Sequence, residues 1–400
     1  MNWTRRRVLA AAGRVGLGGA ILPWATGCIK PVTVTGNPST PPIPTTGTTG
    51  PASLKARASA KGLFFGCAVA TELLGVDAAY EQLVREQCSI VVAENAMKWG
   101  PLRPAIGEFH FEEADRFVAF AEANQMRARG HNLCWHRQLP KWFETHATKG
   151  NASKLLTEHI QKVAGRYAGR IHSWDVVNEA VLPKDGRPDG LRKSPWLELI
   201  GTDYVDLAFR TAREADPKAL LTYNDYGIEA EDQDSAAKRK SVLELVRGMK
   251  TRGVPIDAVG VQSHIGATDS YGAGLSDFMA SVRQMGLEIF VTEMDVNDRK
   301  LLAEPSVIDR EVARQYGDYL ALVVKDSCVK AVLTWGITDR NTWLNSEDAR
   351  EDHLPERCLP FDREFKPVDA FYAMRQAFDR APSRSQNAAV PAQRNGVRSS

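Results

Sequence analysis

The chain has 400 residues, enough for one large domain or two ordinary ones, and its 43% hydrophobic and 25% charged residues give a globular balance that can bury a sizeable core. Basic and acidic residues number 51 and 49, a formal net charge of +2, which gives no reason to expect nucleic acid or an anionic membrane as partner. The six cysteines (Cys28, Cys67, Cys88, Cys134, Cys328 and Cys358) are widely spaced and form no CxxC or His/Cys cluster, which argues against a zinc site and a dense disulfide framework.

The chain opens with Met1-Asn2-Trp3-Thr4-Arg5-Arg6-Arg7-Val8-Leu9, and an uncharged, Gly/Ala-rich stretch runs from Val15 to Ala25. That stretch is too short to span a bilayer, which takes about 20 residues. A basic start before a short apolar run is the pattern of an export signal, expected over residues 1–28. The arginine cluster resembles a twin-arginine signal, with Val8 where Phe is common. Ala25-Thr26-Gly27-Cys28 resembles a bacterial lipobox, in which Cys28 would be lipidated after cleavage. Plain cleavage near Gly27 is the alternative. Both imply an exported protein: periplasmic, secreted or lipid-anchored. Residues 29–60 are rich in Pro, Thr, Gly and Ser and read as an extended linker. Residues 381–400 lack large apolar side chains and read as a loose tail.

Between residues 61 and 380 short apolar runs alternate with longer amphipathic ones. The predicted strands are Leu63–Ala70, Ser89–Ala93, Ala128–Cys134, Ile171–Val177, Leu220–Tyr223, Ala258–Gln262, Glu288–Thr292 and Lys330–Trp335. Helical stripes lie between them. After Asp203, apolar residues recur at Val205, Ala208, Phe209 and Ala212, and the stretches 241–250 and 309–325 behave likewise. Alternating strands and helices imply an α/β protein with a parallel sheet, and eight such units fit a closed (β/α)8 TIM barrel. A doubly wound open sheet that binds a nucleotide would show a Gly-rich first turn, and Phe65-Gly66-Cys67-Ala68 has none.

A barrel carries its chemistry at the C-terminal ends of its strands. Polar groups gather there: Glu94-Asn95, His131, Trp135-His136, Asn178-Glu179, Asn224-Asp225-Tyr226, Gln262-Ser263-His264 and Glu293-Met294-Asp295. A lone glutamate after a strand is ordinarily a loop charge. Glu179 and Glu293, however, each close a strongly apolar strand, the fourth and the seventh, on opposing parts of one rim. Two carboxylates flanking a scissile bond are what glycoside hydrolysis needs, and a separation of about 5–5.5 Å gives retention. The acid must start protonated and the nucleophile ionised, so a raised pKa is expected for the acid. The nine tryptophans suit sugar faces as well as a core.

Taken together these segments resemble glycoside hydrolase family 10, the retaining endo-β-1,4-xylanases, over roughly Gly62 to Phe378. Trp174-Asp-Val-Val-Asn-Glu179 is similar to the family's acid/base motif and Val291-Thr-Glu293-Met-Asp295 to its nucleophile motif. Arg129-Gly-His131-Asn-Leu-Cys-Trp135-His136, Glu94-Asn95-Ala-Met-Lys98-Trp99, Gln262-Ser-His264 and Trp335-Gly-Ile-Thr-Asp339 follow in the family's order. The resemblance implies a (β/α)8 barrel with Glu179 as general acid/base and Glu293 as nucleophile, supported by His264 and Asp295. It implies that Glu94, Asn95 and Lys98 hold the non-reducing-side sugars, and that His131, Gln138, Asn178 and Gln262 line the cleavage point. Trp135, Trp335 and Trp343 would wall the pocket, and Tyr226 would stack a leaving-side sugar. Gly227 stands where Asn is common and Leu344 where Arg is usual. Xylan or xylo-oligosaccharide is the implied substrate, a monomer is expected, and no metal or cofactor is implied. The alternatives are another β-1,4-glycanase acting on glucan, or a non-catalytic carbohydrate-binding protein.

Overall fold

The computed structural model describes residues 47–384. The export signal, residues 29–46 and residues 385–400 lie outside the described residues. Eight parallel strands close a barrel: β1 Phe64–Val69, β2 Ile90–Ala93, β3 Arg127–Cys134, β4 Ile171–Asn178, β5 Leu220–Asp225, β6 Ala258–Val261, β8 Glu288–Asn297 and β9 Val329–Thr334. β1 pairs with β2 and β9, and closure comes from β6 lying directly on β8. A three-residue strand, β7 His264–Gly266, extends the far end of β8. A long helix follows each barrel strand, from Ala78–Gln87 after β1 to Asp369–Arg380 after β9. The (β/α)8 fold expected from the alternating runs is therefore the fold of the chain.

The strands are buried on both faces, which is why they read as near-continuous apolar runs. Ala68, Ile90, Val92, Ala258, Phe290, Ala331 and Leu333 fill the barrel from inside. Their neighbours Val91, Ala93, Val259 and Val291 point out and join the larger core beneath the helices. In the helix Tyr204–Ala215 the buried side chains include Val205, Ala208, Phe209 and Ala212, the predicted stripe. Burying each large apolar side chain of this kind contributes roughly 1.5–3 kcal/mol. The barrel floor is not wholly apolar. Arg129 is fully buried, donates to Ser173 Oγ at 2.9 Å and pairs with Asp175 Oδ1 at 2.5 Å. A buried cation needs such partners to offset its lost hydration.

Three differences from the sequence expectation bear on the site and on the limits of the body. The predicted seventh strand, ending at Thr292, runs on to Asn297, because β7 pairs with residues 295–297. Glu293 and Asp295 therefore sit within a strand rather than after one. The stretch assigned to the linker contains the helix Leu54–Ser59, whose Leu54 and Ala58 are fully buried against the body. The folded body thus begins before residue 61. It also continues past 380: Ala381 is buried, and Arg384 donates to the carbonyls of Val324 and Asp326. Cys67, Cys88, Cys134, Cys328 and Cys358 are buried and unbridged, with the sulfurs of Cys67 and Cys88 3.6 Å apart. No helix among the described residues is long and apolar enough to cross a membrane.

Candidate active site

The carboxyl ends of the strands bring Glu179 and Glu293 into one hydrogen-bonded group. Glu293 is held by its strand, its N–H donating to the Gln262 carbonyl at 2.9 Å. Glu179 follows directly on β4 with φ of 59°, in the left-handed region that side chains other than glycine rarely adopt. Such a conformation costs about 1–3 kcal/mol and persists only where surroundings hold it. Here the Glu179 N–H donates to the Asn224 carbonyl at 2.9 Å, and its own carbonyl accepts from Arg192 Nε at 2.7 Å.

Glu293 is braced on both oxygens. Asn224 Nδ2 donates to Oε1 at 2.7 Å and His264 Nε2 meets Oε2 at 3.1 Å. His264 Nδ1 reaches Asp295 Oδ1 at 2.9 Å, and Asp295 Oδ2 accepts from the Trp343 indole at 2.7 Å. His131 Nδ1 lies 3.9 Å from Glu293 Oε1 and 3.0 Å from Asp175 Oδ2. Glu179 is joined to the same group through Gln262, whose Nε2 lies 3.3 Å from both Glu179 Oε1 and Asn178 Oδ1. Asn178 Oδ1 also accepts from Asn224 at 2.8 Å. Gly260 on β6 makes room for this hub, since a Cβ there would stand 2.2 Å from Asn224 Oδ1.

The electrostatics separate the two glutamates by their partners. Burial pushes the Glu293 carboxyl up, but the hydrogen bond from His264, the charges of His131 and His264 and the Asn224 amide outweigh it and hold it below the usual range. Burial works against protonating His264, yet Asp295 and Glu293 raise its pKa to about 10. A protonated imidazole therefore lies between two carboxylates at neutral pH.

Glu179 departs from the raised pKa expected of an acid. Burial raises it, while His136, Arg192 and donation from Gln262 lower it, and the balance falls below the ordinary value. His136 lies 3.9 Å away but is pushed down to about 3 by burial and by the Arg192 charge. Arg192, with Nη2 3.9 Å from Glu179 Oε2, keeps its charge throughout.

Around this centre Lys98 is buried and donates to Asn95 Oδ1 at 2.9 Å. Its ammonium sits 5.3 Å from the Trp135 ring and 5.5 Å from the Trp335 ring, and burial lowers its pKa. Glu94 lies beside Asn95, with burial pushing its carboxyl up. Trp335 stacks edge-on against His131 and Trp343 against His264. Tyr226 lies at the margin, its hydroxyl accepting from Arg192. Gln138 is exposed, and its carbonyl accepts from the Gly100 N–H at 3.0 Å. A side chain at Gly227 would meet nothing within 4 Å, so that surface is open. Leu344 is buried with Cys358 and Leu359, packed against Trp343, and is core rather than a ligand contact. Asn224, Arg192 and Lys238 had no role assigned from sequence. Asn224 carried a signal, as one of the polar residues gathered at the carboxyl end of the fifth strand.

A parallel eight-stranded barrel with two buried carboxylates at its rim, one braced as an anion, under a wall of tryptophans, defines a glycoside hydrolase. The family model described as Glycosyl hydrolase family 10 matches residues 53–377, and the chain belongs to that family. It is 37% identical over 321 residues to a thermostable celloxylanase of Thermoclostridium stercorarium, covering 73% of this chain and 80% of that one. It is 34% identical over 335 residues to endo-1,4-beta-xylanase C of Paenibacillus barcinonensis, covering 77% of this chain but 30% of that longer protein. Among solved structures it resembles xylanase 10B of Thermotoga petrophila in complex with xylobiose, with TM-score 0.74 and 32% identity, covering 82% of this chain and 97% of that one.

Proposed function

We propose that this chain is an exported endo-1,4-β-xylanase that cleaves internal bonds of xylan with retention, Glu293 acting as nucleophile and Glu179 as general acid/base. The observation that carries the division of roles is the asymmetry of their partners. Glu293 receives an amide and a protonated imidazole and stays ionised. The oxygens of Glu179 have longer contacts, at 3.3 Å from Gln262, 3.4 Å from Asn178 and 3.9 Å from Arg192. Its proton can therefore be given and retaken. Glu293 attacks the anomeric carbon while Glu179 protonates the departing oxygen, and Glu179 then draws a proton from the water that hydrolyses the glycosyl ester. A sugar seated in the cleft excludes water and deepens burial, the influence that raises the Glu179 carboxyl against His136 and Arg192. Asn178 would hold the 2-hydroxyl, a contact that strengthens in the transition state.

A second reading is favoured by one relative's name, celloxylanase. Xylose lacks the 6-hydroxymethyl group of glucose, so discrimination rests on crowding in the cleft. Turnover on soluble xylan is expected to exceed that on carboxymethylcellulose by about tenfold or more, the scale on which a pocket rejects one extra group. A preference for the glucan would sink the xylan assignment.

Export rests on the basic start, the short apolar run and Cys28. Intact-mass analysis of the mature protein is expected to show a chain beginning at or near Cys28. A diacylglyceryl mass on Cys28 assigns a lipid anchor, an unmodified terminus assigns release, and a retained Met1 overturns export through this segment.

A further inference from the structure

We propose that Arg192 is a positioning residue that locks the proton-delivering Glu179 to the leaving-side platform Tyr226, so that the two move as one unit. The inference rests on Glu179 being the acid/base. After Glu179 the chain runs outward and returns as a short antiparallel arm. Val181 bridges Leu191, the Leu182 N–H donates to the Gly190 carbonyl at 2.9 Å, and the Arg192 N–H donates to the Ala180 carbonyl at 2.7 Å. Gly190 allows the arm to close on the helix Gln233–Thr251, because a Cβ there would stand 2.5 Å from Ser241 Oγ. The arm points the Arg192 side chain back to the strand it left. One guanidinium then makes three contacts: Nε to the Glu179 carbonyl at 2.7 Å, Nη2 to the Tyr226 hydroxyl at 2.9 Å, and Nη2 3.9 Å from Glu179 Oε2.

The planar fork suits this task, since it reaches two acceptors in fixed directions while keeping its charge. The carbonyl it grips belongs to a residue at φ of 59°, a conformation that has to be held by its surroundings. A neighbouring cation does not duplicate the role. Lys238 is buried, pairs with Asp225 Oδ1 at 2.7 Å, donates to the Val181 carbonyl and lies 4.6 Å from the Tyr226 ring. Its charge is answered by Asp225, whereas the carboxylate that Arg192 faces is Glu179. A sugar stacked on Tyr226 is thereby registered against the carboxyl that protonates its bond. Loss of Arg192 leaves Glu293 and its braces untouched.

Leaving-group dependence tests this. Bond cleavage needs a proton for phenyl β-xylobioside and for xylan, but hardly for 2,4-dinitrophenyl β-xylobioside, whose phenolate leaves unaided. For Arg192→Gln, kcat/KM is expected to fall about tenfold or more on the phenyl substrate and on xylan but less than about threefold on the dinitrophenyl one, within the range a general acid contributes. Arg192→Lys is expected to behave like Arg192→Gln, since an ammonium cannot span both acceptors. Tyr226→Phe keeps the ring and the fold but removes the accepting hydroxyl, and is expected to shift the same ratio in the same direction. Equal losses on all three substrates, or an unchanged ratio in Tyr226→Phe, overturn the positioning role. Glu179→Ala is the control. If that variant slows both aryl substrates alike, the acid/base assignment itself fails; if it is selective and Arg192→Gln is not, only the inference about Arg192 fails.

Discussion

Glu293→Ala is expected to lower turnover on xylan by about 10⁴-fold or more, the scale of losing a covalent nucleophile, with the fold intact. The fold should survive because the strand holds residue 293 by its backbone, and because Asp295 remains to answer the His264 charge. Added azide separates the two carboxylates. In Glu293→Ala it can enter from the vacated face, displacing the leaving group once, so the glycosyl azide has inverted configuration. In Glu179→Ala the ester to Glu293 still forms from an activated substrate, and azide opens it, so the product is retained. The measurement is the anomeric configuration of the azide product by proton NMR. The same configuration from both variants would overturn the division of roles.

The barrel was legible because parallel strands buried on both faces leave little else for a run such as Ile90-Val-Val-Ala93 to be. What was hidden was structure made by charged residues. The helix Gln233–Thr251 begins well before the predicted stripe at 241, because its early turns bury Lys238 and Arg239, residues that a reading by periodicity assigns to solvent. The helix Leu54–Ser59 was hidden for a different reason. It is a short segment beside a Pro/Thr-rich run, and it forms by docking Leu54 and Ala58 onto the body rather than through its own propensity.

The same contrast runs through the site. Glu179, Glu293, Asn178, Gln262, His264 and Asp295 stand on or beside strand ends, where side-chain direction follows from alternation and the barrel rim. Arg192 lies 13 residues beyond Glu179 and returns only because the arm between them pairs with itself. Nothing in local spacing encodes that return. The pKa of Glu179 was equally out of reach, since burial, His136 and Arg192 set its sign, and Arg192 is brought in only by the fold. Proximity of two carboxylates alone argues for a raised acid. His136, Arg192 and Gln262 reverse that in the free site, which makes proton delivery depend on what occupies the cleft.

His264→Ala is expected to be costly in both stability and chemistry. It leaves Glu293 and Asp295, both nearly inaccessible to water, without the cation between them. Removing one partner of a buried ionic group destabilises by about 3–5 kcal/mol. The pH dependence has a definite sign. The pKa of His264 is raised to about 10 in the folded chain, against about 6.5 for an unperturbed imidazole. A group bound more tightly to its proton when folded contributes stability that is fully present below the unfolded pKa and lost as pH rises through the folded one. The wild type should therefore lose stability towards pH 10 in urea titrations, and His264→Ala should lack that component. In the rate profile the acidic limb should move up in the variant, because the hydrogen bond that lowers the Glu293 carboxyl is gone and the nucleophile protonates earlier as pH falls. An acidic limb that stays in place would mean that His264 does not keep the nucleophile ionised, and the anion at the centre of the site would have to be credited to Asn224 and His131 instead.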